Sequence, residues 1–206
     1  MVHPIDVVIR RDLEPVMSRH GYRRQRRDFV KVTEEGDWAI VSIYTFPTDP
    51  ESHHIGADLS SCPEPGQDYY RAIDGEPNKV LKPDAVYRMW GASLDTVNYP
   101  MTGWSFPVDS DGREVGQYVA ALLESNGVPK LEYFLDRQNL LAYTRQAFPD
   151  LGKTGLPLTP KTSEFILSVD QLDRDGALAL GARFGFEEDW PVMTWALARI
   201  AKRQNG

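Results

Sequence analysis

Residues 5–21, IDVVIRRDLEPVMSRHG, followed by residues 22–46, YRRQRRDFVKVTEEGDWAIVSIYTF, decide the fold. In the first stretch Ile5, Val8, Ile9, Leu13, Val16, Met17 and His20 recur at steps of three and four. That spacing gathers them on one side of a helix and leaves Arg10, Arg11, Asp12 and Glu14 facing elsewhere. Gly21 predicts the stop, because glycine accepts the left-handed conformation that closes many helices. In the second stretch the period changes. Phe29 to Val32, the turn Glu34-Glu35-Gly36-Asp37 and the run Trp38 to Phe46 predict a hairpin rich in β-branched and aromatic residues. Its second arm alternates Trp38, Ile40 and Tyr44 with Ala39, Val41 and Ile43, so both faces are apolar, as in an interior strand covered on each side. Pro47 is expected to end it, since proline donates nothing to a ladder.

Outward from this hairpin, Ile55, Ala57 and Leu59 alternate with Gly56, Asp58 and Ser60, predicting a third strand with one polar face. Residues 62–83, with four prolines and two glycines, read as a long irregular connection. Val86 to Trp90 and Trp104 to Phe106 read as two short strands joined by a loop through Asn98-Tyr99-Pro100. The second half turns helical. Asp109-Ser110-Asp111 is an N-cap cluster, Val115, Tyr118, Val119, Leu122 and Leu123 form a helical stripe, and Asn126-Gly127 is expected to terminate it. Leu131 to Tyr143 predicts one or two further helices, Leu151 to Pro160 a linker, and Leu167 to Phe184 with Pro191 to Arg203 a final helical pair. Asp189 is the expected cap of the last helix, with Pro191 in its first turn.

The fold class expected is α+β: an antiparallel sheet of about five strands, the N-terminal helix packed on it, and a mostly helical C-terminal half. The organisation expected is an α+β domain over residues 1–150, with a helical pair at 161–206 packed on the same domain.

A chain of 206 residues, 41% hydrophobic, fills a sizeable core. Its net charge of −7 argues against nucleic acid and anionic membranes as partners, because both call for a cationic surface. Cys62 is the single cysteine, so no intrachain disulfide forms, and a reducing cytoplasm fits best. The N-terminus carries no basic region followed by an apolar run, so a soluble, unprocessed protein is expected.

Several residue groups carry candidate chemistry. Arg23, Arg24, Arg26 and Arg27, with Arg19 and Lys31 nearby, offer forked donors to phosphate or RNA. Their other reading is a solvated edge strand whose cations discourage edge-to-edge pairing, and the acidic total favours it. His54, Asp58 and Cys62 share a strand face, but about 13 Å separates each α-carbon from the next, too far to close one ion. Gly152-Lys153-Thr154 lacks the opening glycine of a phosphate loop, where Ala147 stands. Glu187-Glu188-Asp189 reads as capping in preference to metal binding. Tyr69, Tyr70, Tyr87, Trp90, Tyr99 and Trp104 serve a core or a binding surface. A ligand pocket, if built, is expected where Arg88, Tyr87 and Trp104 converge with the carboxylate of Asp58.

The helix with Leu13-Glu14-Pro15, the Gly21-Tyr22-Arg23-Arg24 turn, Phe29 opening a strand, Arg88-Met89-Trp90-Gly91, Trp104 and Val128-Pro129-Lys130-Leu131 form a pattern over about residues 5–145. This pattern resembles the bacterial family called domain of unknown function 4304. A Gly-Phe turn is usual there where this chain has Gly21-Tyr22, and a glutamine is common where this chain has Tyr44 or Thr45. The resemblance implies a bacterial α+β domain and no established activity. No catalytic residue, cofactor or metal is expected. The function expected is non-enzymatic binding, as an adaptor or an immunity-like neutraliser of a basic protein partner. Two alternatives stand beside it: a small-ligand binder or enzyme with a sheet-lined cleft near Arg88, and nucleic-acid binding through the Arg23–Arg27 edge.

Overall fold

The computed structural model describes residues 3–45, 50–76, 82–94, 103–146 and 156–205. The chain opens with α1 (Pro4–Val8) and α2 (Glu14–Arg19), joined by one π-helical turn over Ile9–Leu13. A second π turn, Leu123–Gly127, joins α4 (Arg113–Leu122) to α5 (Val128–Leu135). Both wide turns close just before a proline, with Glu14 N–H bonding to Ile9 O and Val128 N–H to Leu123 O. Pro15 and Pro129 lack an N–H, and their rings would press on the carbonyl four residues back. The widened turn accommodates each without ending the helix. Asn126-Gly127 is therefore not the predicted terminus. Gly127 is buried, and a Cβ there would lie 3.1 Å from Leu94 and 3.2 Å from Leu123, so its smallness serves close packing. Gly21 does close the first helix: it sits at φ 81°, its N–H bonds to Ser18 O, and Tyr22 N–H bonds to Met17 O. That pair of bonds is the Schellman stop.

Among the described residues one antiparallel sheet of six strands follows, one more than the sequence suggests: β1 (Arg23–Gln25), β2 (Asp28–Val32), β3 (Trp38–Tyr44), β4 (Ser52–Cys62), β5 (Trp90–Ser93) and β6 (Trp104–Pro107). The order is β1-β2-β3-β4-β5, with β6 on the other half of the long β4. The extra strand is the basic segment after Gly21, turned back at Arg26, whose φ is 60°.

The remaining departures have local causes. Residues 85–87 form a 3-10 turn capped by the Asp84 carboxylate on Val86 N–H, so β5 begins only at Trp90. The stretch read as irregular holds α3 (Glu64–Ile73). Its Pro65 lies in the first turn, where a missing N–H is harmless. Asp37 caps it from the hairpin turn, accepting from Glu64 N–H at 2.7 Å. The predicted single helix over 167–184 is α7 (Pro160–Ser168), a 3-10 turn at Val169–Gln171 and α8 (Arg174–Phe184), the break marked by Asp173 capping Gly176 N–H. α6 (Arg137–Thr144) and α9 (Pro191–Gln204) complete the helices; Trp190, not Asp189, holds the N-cap position of α9, and no side chain caps it. The predicted cluster before α4 does act, with Ser110 accepting from Gly112 N–H and Asp111 from Arg113 N–H. Pro47, Asn98-Tyr99-Pro100 and Gly152-Lys153-Thr154 lie outside the described residues.

The sheet has two unlike faces. Phe29, Val41, Leu59, Ala92 and Trp90 share the inner face, where α5 packs on β3 and β4 and Trp90 stacks on Phe134 at 4.1 Å between ring centroids. α1 also packs on β4, and α4 on β6. The outer face is covered at one end by α3 and by Met89: a Cβ at Gly66 of α3 would overlap Met89 and touch Cys62. α7 and α9 pack behind α3, and buried residues of all these elements form one cluster with the sheet core. The other end of the outer face is polar.

Candidate functional site on the outer sheet face

Register builds the site. Asp28 on β2 stands opposite Ser42 on β3, Ser42 opposite Asp58 on β4, and Asp58 opposite Ser93 on β5. Four polar side chains thus form one row across four strands, because residues directly opposite share a face. Ser42 donates to Asp28; the Tyr44 hydroxyl donates to Asp58 and accepts from Ser93. Asp28, Ser42 and Asp58 are half-buried.

Two glycines form the floor beside Asp58. A Cβ at Gly56, the cross-strand partner of Tyr44, would overlap the Tyr44 ring. A Cβ at Gly91 would overlap the aliphatic stem of Arg88. Each missing side chain lets a functional one lie on the backbone, which is how a sheet can hold an aromatic ring and a guanidinium close to its surface. Tyr70 of α3 fixes the Arg88 backbone, its hydroxyl donating to Arg88 O at 3.0 Å.

The electrostatics of the row differ from those elsewhere. Burial pushes Asp28 above its usual carboxylate range, Ser42 opposes this, and the nearby Asp84 carboxylate adds to it. Burial likewise raises Asp58, against the opposing pull of Arg88 and Tyr44. Tyr44 is raised by burial and then by Asp58. Carboxylates elsewhere run the other way. Asp6 is lowered by its bond from Arg27, and Glu124 by its bond from Arg19. Asp68 and Asp170 are lowered although burial opposes it, because Trp195 and Arg199 donate to Asp68 and Arg199 donates to Asp170.

Of the residues named from sequence, Asp58 and Arg88 come together here. Tyr87, the residue before Arg88, packs instead on Tyr70, ring centroids 5.8 Å apart. Trp104 pairs with Ile55 of the inner face and meets Tyr118 of α4, so it lies on the opposite side of the sheet. In the basic segment, Arg24 pairs with Glu14 and Arg27 with Asp6, both at 2.9 Å, tying the β1–β2 turn to the N-terminal helix. Arg23 and Arg26 are exposed and make no ion pair among the described residues. His54, Asp58 and Cys62 all lie along the continuous β4, and the Cys62 thiol is buried and pushed well above its usual range by that burial. No group of three metal-ligating side chains occurs among the described residues.

A second feature is a groove of about 560 Å³ between α3 and α9, lined by Glu64, Asp68, Arg71, Trp195, Arg199 and Lys202 among others. Its centre is filled by ion pairs. Arg199 bonds through all five N–H groups, to Glu64, Asp68 and Asp170, at 2.7–3.2 Å. The chain of charges runs on to the sheet: Arg137 lies 3.9 Å from Asp170 and 2.6 Å from the buried Asp37. Such saturation marks a structural clasp.

Sequence reading missed Asp28, Ser42, Tyr44 and Ser93 as site residues. The available signal was Ser42, a hydroxyl inside an otherwise apolar strand, matching the polar Asp58 on the next one. No helix among the described residues is long and apolar enough to cross a membrane. No protein-family model, curated protein or solved structure matches the chain, so the resemblance to domain of unknown function 4304 rests on its sequence motifs alone.

Proposed function

We propose that the protein works by binding, and that it receives a polar group of its ligand or partner protein on the outer sheet face around Asp58, Tyr44 and Arg88. The observation that carries this reading is the transverse row Asp28–Ser42–Asp58–Ser93, flanked by side chains laid on Gly56 and Gly91. Polar side chains in such a row weaken a sheet face that could have been apolar. Half-buried groups with shifted ionisation, gathered in one place, are characteristic of functional sites. The net charge of −7 adds long-range attraction for a basic partner, in the manner of an adaptor or an immunity-type neutraliser.

A second reading, catalysis at the same groups, draws on one feature: Asp28 and Asp58, both raised, occupy one face with a single strand between them. Carboxylates tuned upward serve acid–base chemistry as well as binding.

One experiment addresses both. Amide-resolved NMR spectra of the full chain are recorded against a panel of small polar compounds of each charge type. Shifts clustering at Asp28, Ser42, Asp58 and Ser93 without turnover of the compound are the expected result; turnover at that site would establish the catalytic reading. Shifts confined to the α3–α9 groove would overturn the assignment of the site.

A further inference from the structure

We infer, building on the binding reading above, that the outer face takes a zwitterion, a free α-amino acid, with its ammonium on Asp58 and its carboxylate on Arg88. Strand register and packing place the two recipients. Asp58 stands opposite Ser93 and Ser60 opposite Gly91, so Asp58 and Gly91 are diagonal neighbours on the outer face. Arg88 lies across Gly91, where a Cβ would stand 2.7 Å from its Cδ and 3.1 Å from its Nε. Diagonal positions of an antiparallel pair are about 7–8 Å apart. An α-amino acid holds its ammonium and carboxylate about 3 Å apart, and a hydrogen bond of about 2.8 Å at each end brings its span close to that distance.

The two charges do not satisfy each other. Arg88 is exposed, and neither it nor Asp58 makes an ion pair among the described residues. Arg24, Arg27, Arg137 and Arg199, by contrast, each reach a carboxylate at 2.6–2.9 Å. Separate anchors hold Asp58 and Arg88 apart. The Tyr44 hydroxyl donates to Asp58 while its ring lies on Gly56, and the Tyr70 hydroxyl holds the Arg88 carbonyl at 3.0 Å. A fixed carboxylate and a fixed guanidinium, close but unjoined, form a preorganised receptor for the complementary pair of charges. A lone cation would meet the like charge of Arg88, and a lone anion that of Asp58; a zwitterion satisfies both. The guanidinium fork takes a carboxylate through two parallel bonds, and the carboxylate of Asp58 accepts from an ammonium.

The probes are L-alanine, N-acetyl-L-alanine, which lacks the ammonium, and L-alaninamide, which lacks the carboxylate, each titrated into the full chain with amide shifts followed. L-Alanine is expected to shift Asp58, Gly91 and Ser93 saturably, and each derivative to bind about tenfold more weakly, the loss of one close charge contact. Arg88→Gln, at an exposed side chain, and Asp58→Asn, of nearly the same shape, are each expected to weaken L-alanine binding by a similar factor. If either derivative binds there as well as L-alanine, the zwitterion inference fails while the binding reading stands. If L-alanine binds equally well in either variant, the seat is misplaced and the inference also fails. Silence of all three probes overturns the zwitterion inference, and the wider compound panel then decides the binding reading separately.

Discussion

Replacing Arg199 by methionine is expected to destabilise the fold by about 3 kcal/mol, the lower end of the range for removing one partner of a buried ion pair. The lower end applies because Glu64, Asp68 and Asp170 keep side-chain exposures of 29–32% and regain some water. Arg199 itself is 18% exposed and has all five donors engaged, so methionine fills the volume but leaves three carboxylates facing one another. Lysine in its place is expected to restore less than half of the loss, since a single ammonium cannot reproduce the planar fork. The effect has a pH signature. Asp68 and Asp170 have lowered pKa values, so their contribution is present above the ordinary carboxylate range and disappears as pH falls through it to the lowered values. Denaturant midpoints of wild type and variant should therefore differ at pH 7 and converge in strong acid.

Asp37→Ala is the second large effect, about 3 kcal/mol, assembled from two losses. The 3%-exposed carboxylate caps α3 through Glu64 N–H, a contribution of about 1 kcal/mol. It also accepts a forked pair from Arg137 at 2.6 and 2.9 Å, and its removal leaves that guanidinium half-buried, costing about 2 kcal/mol more. Asp37→Asn should retain the cap and lose chiefly the charge. A hydrogen-exchange measurement separates the two contributions, because loss of the cap frays the first turn of α3 specifically.

The reach of sequence reasoning follows from where each signal resides. The N-terminal stripe and its Gly21 stop were legible because a helix face and a Schellman bond are local patterns. β3 was legible as an interior strand because both of its faces are apolar. α3 was hidden by Pro63 and Pro65, which are tolerated only because they hold its N-cap position and its first turn. The continuity of α4 into α5 was hidden by Asn126-Gly127, since glycine chosen for closeness to Leu94 looks the same as glycine chosen for a stop. Asp58 and Arg88 could be nominated from sequence, but the row could not. Its members come from four strands and align only once the register is set, and a slip of one residue would send any of them to the other face. Likewise the clasp joins Glu64 to Arg199 across 135 positions, a relation that no local pattern carries.

The row and the clasp make opposite predictions for the same change of pH, and this contrast tests the central claim. Asp28 and Asp58 have raised pKa values, so their charged forms cost stability at neutral pH. The cost is relieved as pH falls through the raised values towards the ordinary carboxylate pKa. Residues retained at a binding site against stability can be exchanged with a gain in it, commonly of 0.5–2 kcal/mol. The measurement is the unfolding free energy of the Asp28→Asn, Asp58→Asn double variant against wild type at pH 7 and at pH 3. The account predicts a variant more stable by about 1 kcal/mol at pH 7, with the difference vanishing at pH 3 where the wild-type carboxyls are also neutral. A variant less stable than wild type at pH 7 would contradict it, and would make the row a structural strut of the sheet.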